Sequence, residues 1–284
     1  MKNVLFIILI FCTHFQSQAQ DTQIVIAHTS DTHSRIVPIA TAPNDAPEES
    51  KGGFARRAAM LDRLRKENPQ NLLLFDCGDF SQGSIYYNLF KGEVEIKLMN
   101  AMGYDAALIG NHEFDFGTEN LAGLVRMANF PFVCSNYDFS GTPLEGLVKP
   151  YIIIERAGVR VGIVGVSPKL EGLVGRKYYG NVKYRNPQKA VQPIINLLRK
   201  KKHCDLIVCL SHLGYFEQNG GDSDFIGKTE GIDIVLGGHT HTEFATPKYL
   251  TNKKREKVLL NHIGRDGKWV GTLTIEATKK HNAQ

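Results

Sequence analysis

The stretch Asn71-Leu72-Leu73-Leu74-Phe75-Asp76-Cys77-Gly78-Asp79 decides how this chain folds. Its apolar residues are consecutive rather than alternating. That is the pattern of a strand covered on both faces, as parallel strands are inside α/β proteins. The run then stops at a glycine and a carboxylate. Four other apolar runs stop in the same manner: residues 23–28 before Asp31 and His33, residues 106–109 before Gly110-Asn111-His112-Glu113, residues 206–210 before Ser211-His212, and residues 233–236 before Gly238-His239-Thr240-His241. Five strand exits thus deliver oxygen and imidazole ligands to one rim, the crevice outside the carboxyl ends of the strands where open α/β sheets bind their ligands.

Working outward, strand-length apolar runs also occupy residues 130–134, 151–154, 160–166, 258–262 and 269–275. Helical periodicity marks residues 54–66, 93–102, 120–128 and 187–202, the last of these opening on Asn186-Pro187. Alternating strands and helices predict a layered α/β architecture. From 151 to 166 and again from 249 to 275 strands follow one another, with Ala157-Gly158 and Asp266-Gly267 between them, which predicts hairpins. The expected fold is a mixed sheet, or two packed sheets, flanked by helices, in one domain over residues 20–284. Residues 38–53, with Pro43 and Pro47, read as a surface loop.

A length of 284 residues with 42% hydrophobic residues suits one globular domain and excludes disordered and fibrous classes. Part of the net charge of +5 lies in short basic runs at 199–202, 253–257 and 279–280. No aromatic residues interleave with them at base-stacking spacing, so no nucleic-acid polymer is expected as a partner. Met1-Lys2-Asn3, an apolar run over 4–11 and Ser17-Gln18-Ala19 form the pattern of a signal peptide over residues 1–19, which predicts an exported, periplasmic or extracellular protein. The run is shorter than the roughly 20 residues a membrane span requires, so no stable span is expected. Beyond the leader, Cys77, Cys134, Cys204 and Cys209 sit in or beside apolar runs with no Cys-x-x-Cys pair, which predicts buried, unpaired thiols.

At a strand exit, residues i and i+2 point to the same side, so Asp31 and His33 converge on one ion, and His239 and His241 repeat the arrangement. Asp79, Asn111 and His212 complete the set, with Asp79 the natural carboxylate to bridge two ions and Asn111 a neutral amide oxygen. Carboxylate, amide and imidazole ligands without thiolate suit two divalent metal ions such as Mn, Zn or Fe. Such a pair lowers the pKa of bound water toward neutrality and neutralises phosphoryl oxygens, which is the chemistry of phosphate ester hydrolysis by a metal-activated hydroxide. His112 is the candidate proton donor to the leaving group, with Asp115 three residues on to fix its tautomer, and Glu113 is placed behind the ligands. Taken singly, Asp79 also suits a helix cap and Asn111 a turn; five agreeing exits favour the site. His28 and His262, which also end strands, read as hydrogen-bonded structural residues. Arg35 suits phosphate contact or plain surface, and Tyr86-Tyr87 suit a cleft lining or core packing.

As a set, Ser30-Asp31-Thr32-His33, Gly52-Gly53-Phe54-Ala55-Arg56, Asp76-Cys77-Gly78-Asp79, Gly110-Asn111-His112-Glu113-Phe114-Asp115, Ser211-His212-Leu213-Gly214 and Gly237-Gly238-His239-Thr240-His241 resemble the motifs of the calcineurin-like metallophosphoesterase superfamily. Within it they resemble the catalytic domain of the 5′-nucleotidase family, over residues 24–275. The resemblance implies a four-layer α/β/β/α sandwich. It implies one ion held by Asp31, His33, Asp79 and His241, a second by Asp79, Asn111, His212 and His239, and His112 with Asp115 as the catalytic pair. It implies small-molecule substrates, nucleoside monophosphates or related nucleotides, with cyclic nucleotides or nucleotide-sugar diphosphates as alternatives on the same site. Members of that family usually continue into a second domain that stacks the nucleobase and contributes arginines to the phosphate. The sequence to Gln284 shows no such domain, so either a separate polypeptide is expected to supply it or base preference is expected to be slight. In a further alternative the chain is a metal-binding subunit, inactive until that partner docks.

Overall fold

Hydrogen bonding sorts the apolar runs into two sheets. A computed structural model describes residues 22–39, 50–216 and 220–277; the leader over 1–19 lies outside the described residues. In chain order the first half comprises β1 (Thr22–Thr29), α1 (Phe54–Glu67), β2 (Leu72–Asp76), α2 (Ile85–Phe90), α3 (Glu93–Met102), β3 (Ala106–Leu108), α4 (Gly117–Met127), β4 (Phe132–Val133) and β5 (Tyr137–Asp138). The second half comprises β6 (Tyr151–Arg156), β7 (Val159–Val166), α5 (Arg176–Tyr179), β8 (Lys183–Tyr184), α6 (Pro187–Lys200), β9 (Leu206–Ser211), α7 (Asp222–Lys228), β10 (Ile234–Gly237), β11 (Lys248–Thr251), β12 (Lys257–His262) and β13 (Gly271–Ala277).

One sheet runs β13-β1-β2-β3-β4 and the other β11-β12-β10-β9-β7-β6, with β5 and β8 as a separate ribbon. Both have parallel centres: in the first sheet β1, β2, β3 and β4 run parallel and only β13 is antiparallel, and in the second β9 pairs parallel to β7 and β10 while β6 and β11 close the edges antiparallel. The central strands therefore point their carboxyl ends the same way within each sheet, which is what gathers the polar exits.

The period of two along β9 places the sheets within the layers. Leu206, Val208 and Leu210 join the apolar cluster that also holds the strands of the first sheet, while Ile207 and Cys209 join Val191, Ile195 and Leu198 of α6 and Phe225 of α7. The sheets pack face to face, α6 and α7 cover one outer side, and α1, α3 and α4 cover the other, giving the four layers α/β/β/α. Close approach is enforced at Gly165, where an added Cβ would lie 2.5 Å from the Val133 carbonyl oxygen. The helix α6 shows why these segments fold locally. Asn186 caps it by accepting from the Lys189 N–H at 3.0 Å, Pro187 occupies its first turn, and Val191, Ile195 and Leu198 form one buried stripe. Truncating Leu198 to Ala would cost about 2–5 kcal/mol.

The predicted hairpin at Ala157-Gly158 joins β6 to β7, both turn residues having positive φ (49° and 75°). Asp266-Gly267 is not a hairpin. It carries the chain from β12 in one sheet to β13 in the other, a crossing that adjacency in sequence does not reveal. The four cysteines are buried and unpaired. Among the described residues no helix is long and apolar enough to cross a membrane.

Candidate metal centre

The loops that leave the strands are zipped to one another by backbone hydrogen bonds. Asp31, His33 and Ser34 donate their N–H groups to the carbonyls of Gly78, Asp79 and Phe80 at 2.9–3.0 Å. Two triads result: Asp31, His33 and His241 place ligand atoms within 4.8 Å of one another, and so do Asp79, His212 and His239. Asn111, 4% exposed, lies between Gly110, which closes on Asp79, and His112, whose N–H donates to Asp79 Oδ1 at 2.9 Å. Every residue singled out as a ligand is thus in one place. The backbone that brings them there is not the extended alternation expected from the i, i+2 spacing. Asp31, His33, Asp79, His239 and His241 all have positive φ, between 45° and 76°. Non-glycine residues held in this region cost of order 1–3 kcal/mol each, and such outliers gather at functional sites.

Glycines make the approach possible. A Cβ on Gly238 would sit 2.8 Å from Asp31 Oδ2 and 2.9 Å from His212 Nδ1, and one on Gly110 would sit 2.7 Å from the Asp79 nitrogen. Glu113 explains its burial: its carboxylate accepts from the N–H groups of Asp79 (3.0 Å), Gly110 (2.6 Å) and Ser81 (3.1 Å), fixing the loops that follow β2 and β3 against each other.

The outer ring nitrogens are anchored. His33 Nδ1 donates to the Ser81 carbonyl (3.2 Å) and His212 Nδ1 to the Cys77 carbonyl (2.8 Å), which turns both Nε2 atoms inward, as in metal-binding histidines. Three observations test whether cations fit. Asn111 Oδ1 is buried without a hydrogen-bond partner, and His212 Nε2 faces the Asp79 carboxylate at 2.9 Å. His33 Nε2 and His241 Nε2 face each other at 3.0 Å, close enough for both to turn a lone pair to one cation. The donor set is oxygen and imidazole, with no thiolate. The residues fit two divalent ions.

The electrostatics are those of a site built to hold positive charge. Burial alone would raise Asp79, but His212, 2.9 Å away, holds it well below the usual carboxylate range. Burial alone would lower His212, and Asp79 raises it to about 10 instead. Burial raises Asp31 to about 7 and lowers both His239 and His241 to about 4. His112 Nδ1 pairs with Asp115 Oδ2 at 2.9 Å; burial pulls His112 down, but Asp115 and Asp79 outweigh it and raise it to about 9.

Some residues that brace the candidate centre carry no sequence signal. Asp222, on α7, accepts from Ser211 Oγ with one oxygen and from His262 Nε2 (2.8 Å) with the other, all three at most 1% exposed. It thereby ties the residue before His212 to β12. The Ser34 hydroxyl, next to His33, donates to buried Glu95 of α3. Neither contact follows from spacing, since the partners lie 11 to 61 residues apart. Tyr87 is buried, its hydroxyl donating to the His112 carbonyl (3.2 Å), so it packs behind the centre, while Tyr86 is half-buried. His28, buried and bonded to Asn261 (2.9 Å), is structural as expected.

Residues 24–243 match the calcineurin-like phosphoesterase family. The chain is 35% identical over 237 residues to a snake venom 5′-nucleotidase of Gloydius brevicauda, covering 82% of this chain and 39% of that protein. A 5′-nucleotidase precursor from Thermus thermophilus superposes with a TM-score of 0.79 at 32% identity, over 89% of this chain and 51% of that one. The calcineurin-like phosphoesterase YfkN from Bacillus subtilis superposes with a TM-score of 0.75 at 26% identity, over 92% and 87%. The chain spans about half the length, or less, of the curated relatives it matches.

Proposed function

The chain belongs to the calcineurin-like phosphoesterase family, and we propose that within it this protein is an exported, dinuclear phosphohydrolase of 5′-nucleotidase type, acting on nucleoside monophosphates or related nucleotides. The observation that carries this reading is the pair of adjoining triads, with the buried, unpartnered Asn111 Oδ1 beside them. Asp31, His33, Asp79 and His241 would hold one cation and Asp79, Asn111, His212 and His239 the other, with the Asp79 carboxylate shared. Two divalent cations, Mn, Zn or Fe by donor chemistry, supply Lewis acidity toward phosphoryl oxygens and ionise water at neutral pH.

The chain's own groups do the rest. Asp115 holds the His112 ring by Nδ1, so Nε2 carries the proton that the departing alkoxide needs, and a pKa raised to about 9 keeps that proton in place at neutral pH. Tyr87 and the Asp79 carboxylate fix the His112 backbone, which sets where the proton is delivered. Glu113 holds the loops bearing Asp79 and Asn111 in register, so the ligand oxygens need no rearrangement before reaction. The residue pattern of 1–19 supports export.

The test is phosphate release by the purified chain with added manganese, offered AMP, other nucleoside monophosphates, a 2′,3′-cyclic nucleotide, UDP-glucose and an aryl phosphate. Preference for monophosphates is expected. Turnover of the aryl phosphate alone would place base recognition on a separate specificity-domain protein. No turnover with two cations bound would refute the reading.

A further inference from the structure

Of the sequence motifs, Gly52-Gly53-Phe54-Ala55-Arg56 is the one the metal centre leaves unused. It opens α1 and, with Gly267-Lys268-Trp269 on the way into β13, walls a cavity of about 400 Å³ that shares no residue with either triad. Lys51, Arg56, Arg57 and Lys268 line this cavity, and among the described residues no carboxylate does. The nearest one, Asp266, is buried and reaches Lys268 Nζ at 3.8 Å. The N-terminus of α1 adds the positive end of a 14-residue helix that has no acidic residue in its first turn and no side-chain cap.

Arg57 sets the chemistry of the cavity. The residue is 3% exposed, yet its Nε and Nη2 have no hydrogen-bond partner. Its guanidinium stacks on the Phe54 ring at 4.4 Å and is hydrogen-bonded to the Tyr104 hydroxyl, neither of them a charged partner. Burying a cation with donors unmet is costly, and an anion removes the cost. Nε and Nη2 share one edge of the planar group, the edge that grips a carboxylate or a phosphoryl group through two parallel N–H bonds. That end of Arg57 lies against the cavity wall at Gly267, where an added Cβ would collide with Nη2. The remaining wall is apolar, with Met60 and Trp269. Trp269 is 45% exposed, and Lys51 Nζ stands 4.9 Å from its ring centroid. A cavity of this size exceeds what a bare oxyanion fills, and an aromatic ring behind the anionic head meets Trp269 there.

We propose that this cavity binds a small aromatic oxyanion, a carboxylate or phosphoryl group carried on a ring, with its head on the Nε–Nη2 edge of Arg57 and its ring against Trp269. The site is separate from the metal centre and stands independently of the phosphohydrolase reading. The Asp266 N–H, which donates to the Asp31 carbonyl at 2.7 Å, ties the residue before Gly267 to the ligand loop, so the two sites share a wall without sharing a side chain.

Trp269 is the single tryptophan of the chain, so its fluorescence reads the cavity directly. Benzoate and phenylphosphonate are titrated into the wild type, manganese-loaded and metal-stripped, and into Arg57→Lys and Arg57→Met. The site predicts a saturable change with at least one probe, and the probe that saturates identifies the head group. The affinity should be the same with and without manganese. Arg57→Met should weaken it about 10- to 100-fold, and Arg57→Lys, which keeps the buried charge but loses the fork, about tenfold. No saturable response to either probe in the wild type overturns the proposal, as does an affinity unchanged in Arg57→Lys. A response that vanishes when the metal is stripped overturns it too, because the probe would then be sitting on the metal centre.

Discussion

Replacing Asp222 is expected to loosen the centre from a distance, by an amount that the hydrogen bonds allow to be worked out. Its carboxylate accepts from Ser211 Oγ and from His262 Nε2, and all three groups are at most 1% exposed. Asp222→Ala removes two bonds to a charged acceptor, each contributing about 1.5–3 kcal/mol, and strands two buried donors. The expected loss is about 3–5 kcal/mol, the usual figure for removing one partner of a buried pair. Asp222→Asn is milder. The amide oxygen still accepts from Ser211, but its NH2 requires an acceptor at His262 Nε2, which moves the ring proton to Nδ1, an atom with no partner among the described residues. One unsatisfied buried donor costs about 1–3 kcal/mol. Urea unfolding of the metal-free protein measures both, with midpoint shifts in that order and an unchanged m-value. Ser211 precedes His212, and an added Cβ on Gly237, two residues before His239, would lie 2.6 Å from Asp222 Oδ2. The same variants should therefore weaken metal binding about 10- to 100-fold. A loss below about 1 kcal/mol in Asp222→Ala, with metal affinity intact, would refute the reasoning.

His112→Ala should retain its metal and lose turnover by a factor of about 10² to 10⁴, checked by kcat together with metal content. Activity should fall as pH rises through the raised His112 value of about 9. Asp115→Asn keeps an acceptor but removes the negative charge that helps raise it, so the alkaline limb of kcat should move to lower pH; movement upward would contradict the pairing. Gly238→Ala drives a methyl into Asp31 and His212 and should abolish metal uptake, measured by elemental analysis of the folded variant. In the metal-free protein His212 holds its proton up to about pH 10, so loading at neutral pH must displace it. Affinity should rise with pH by up to about tenfold per unit, with proton release seen by calorimetry in buffers of different ionisation enthalpy.

The strands and the candidate ligands were legible for the same reason. Leu72 to Phe75 has to be a buried strand, and a buried strand carries the residues at its carboxyl end to a predictable rim, so Asp79 and its counterparts could be placed before any contact was known. The turn each exit makes could not be read. Positive φ at Asp31, His33, His239 and His241 is imposed by loops locking onto one another, and those hydrogen bonds join residues from different strands. Asp266-Gly267 failed as a hairpin signal because turn chemistry fixes a local reversal, whereas the sheet that receives the next strand is set by packing. Asp222, Glu95 and Asp266 were invisible because a carboxylate on a helix or loop reads as solvated surface until the fold buries it.

The most direct test of the central claim is a titration of manganese into metal-stripped protein at concentrations well above the dissociation constants, with phosphate release from AMP followed at each step. Activity rising to a plateau at two equivalents per chain, and absent in Asp79→Asn, is the result the shared-carboxylate centre predicts. A plateau at one equivalent, or full activity without Asp79, would contradict it.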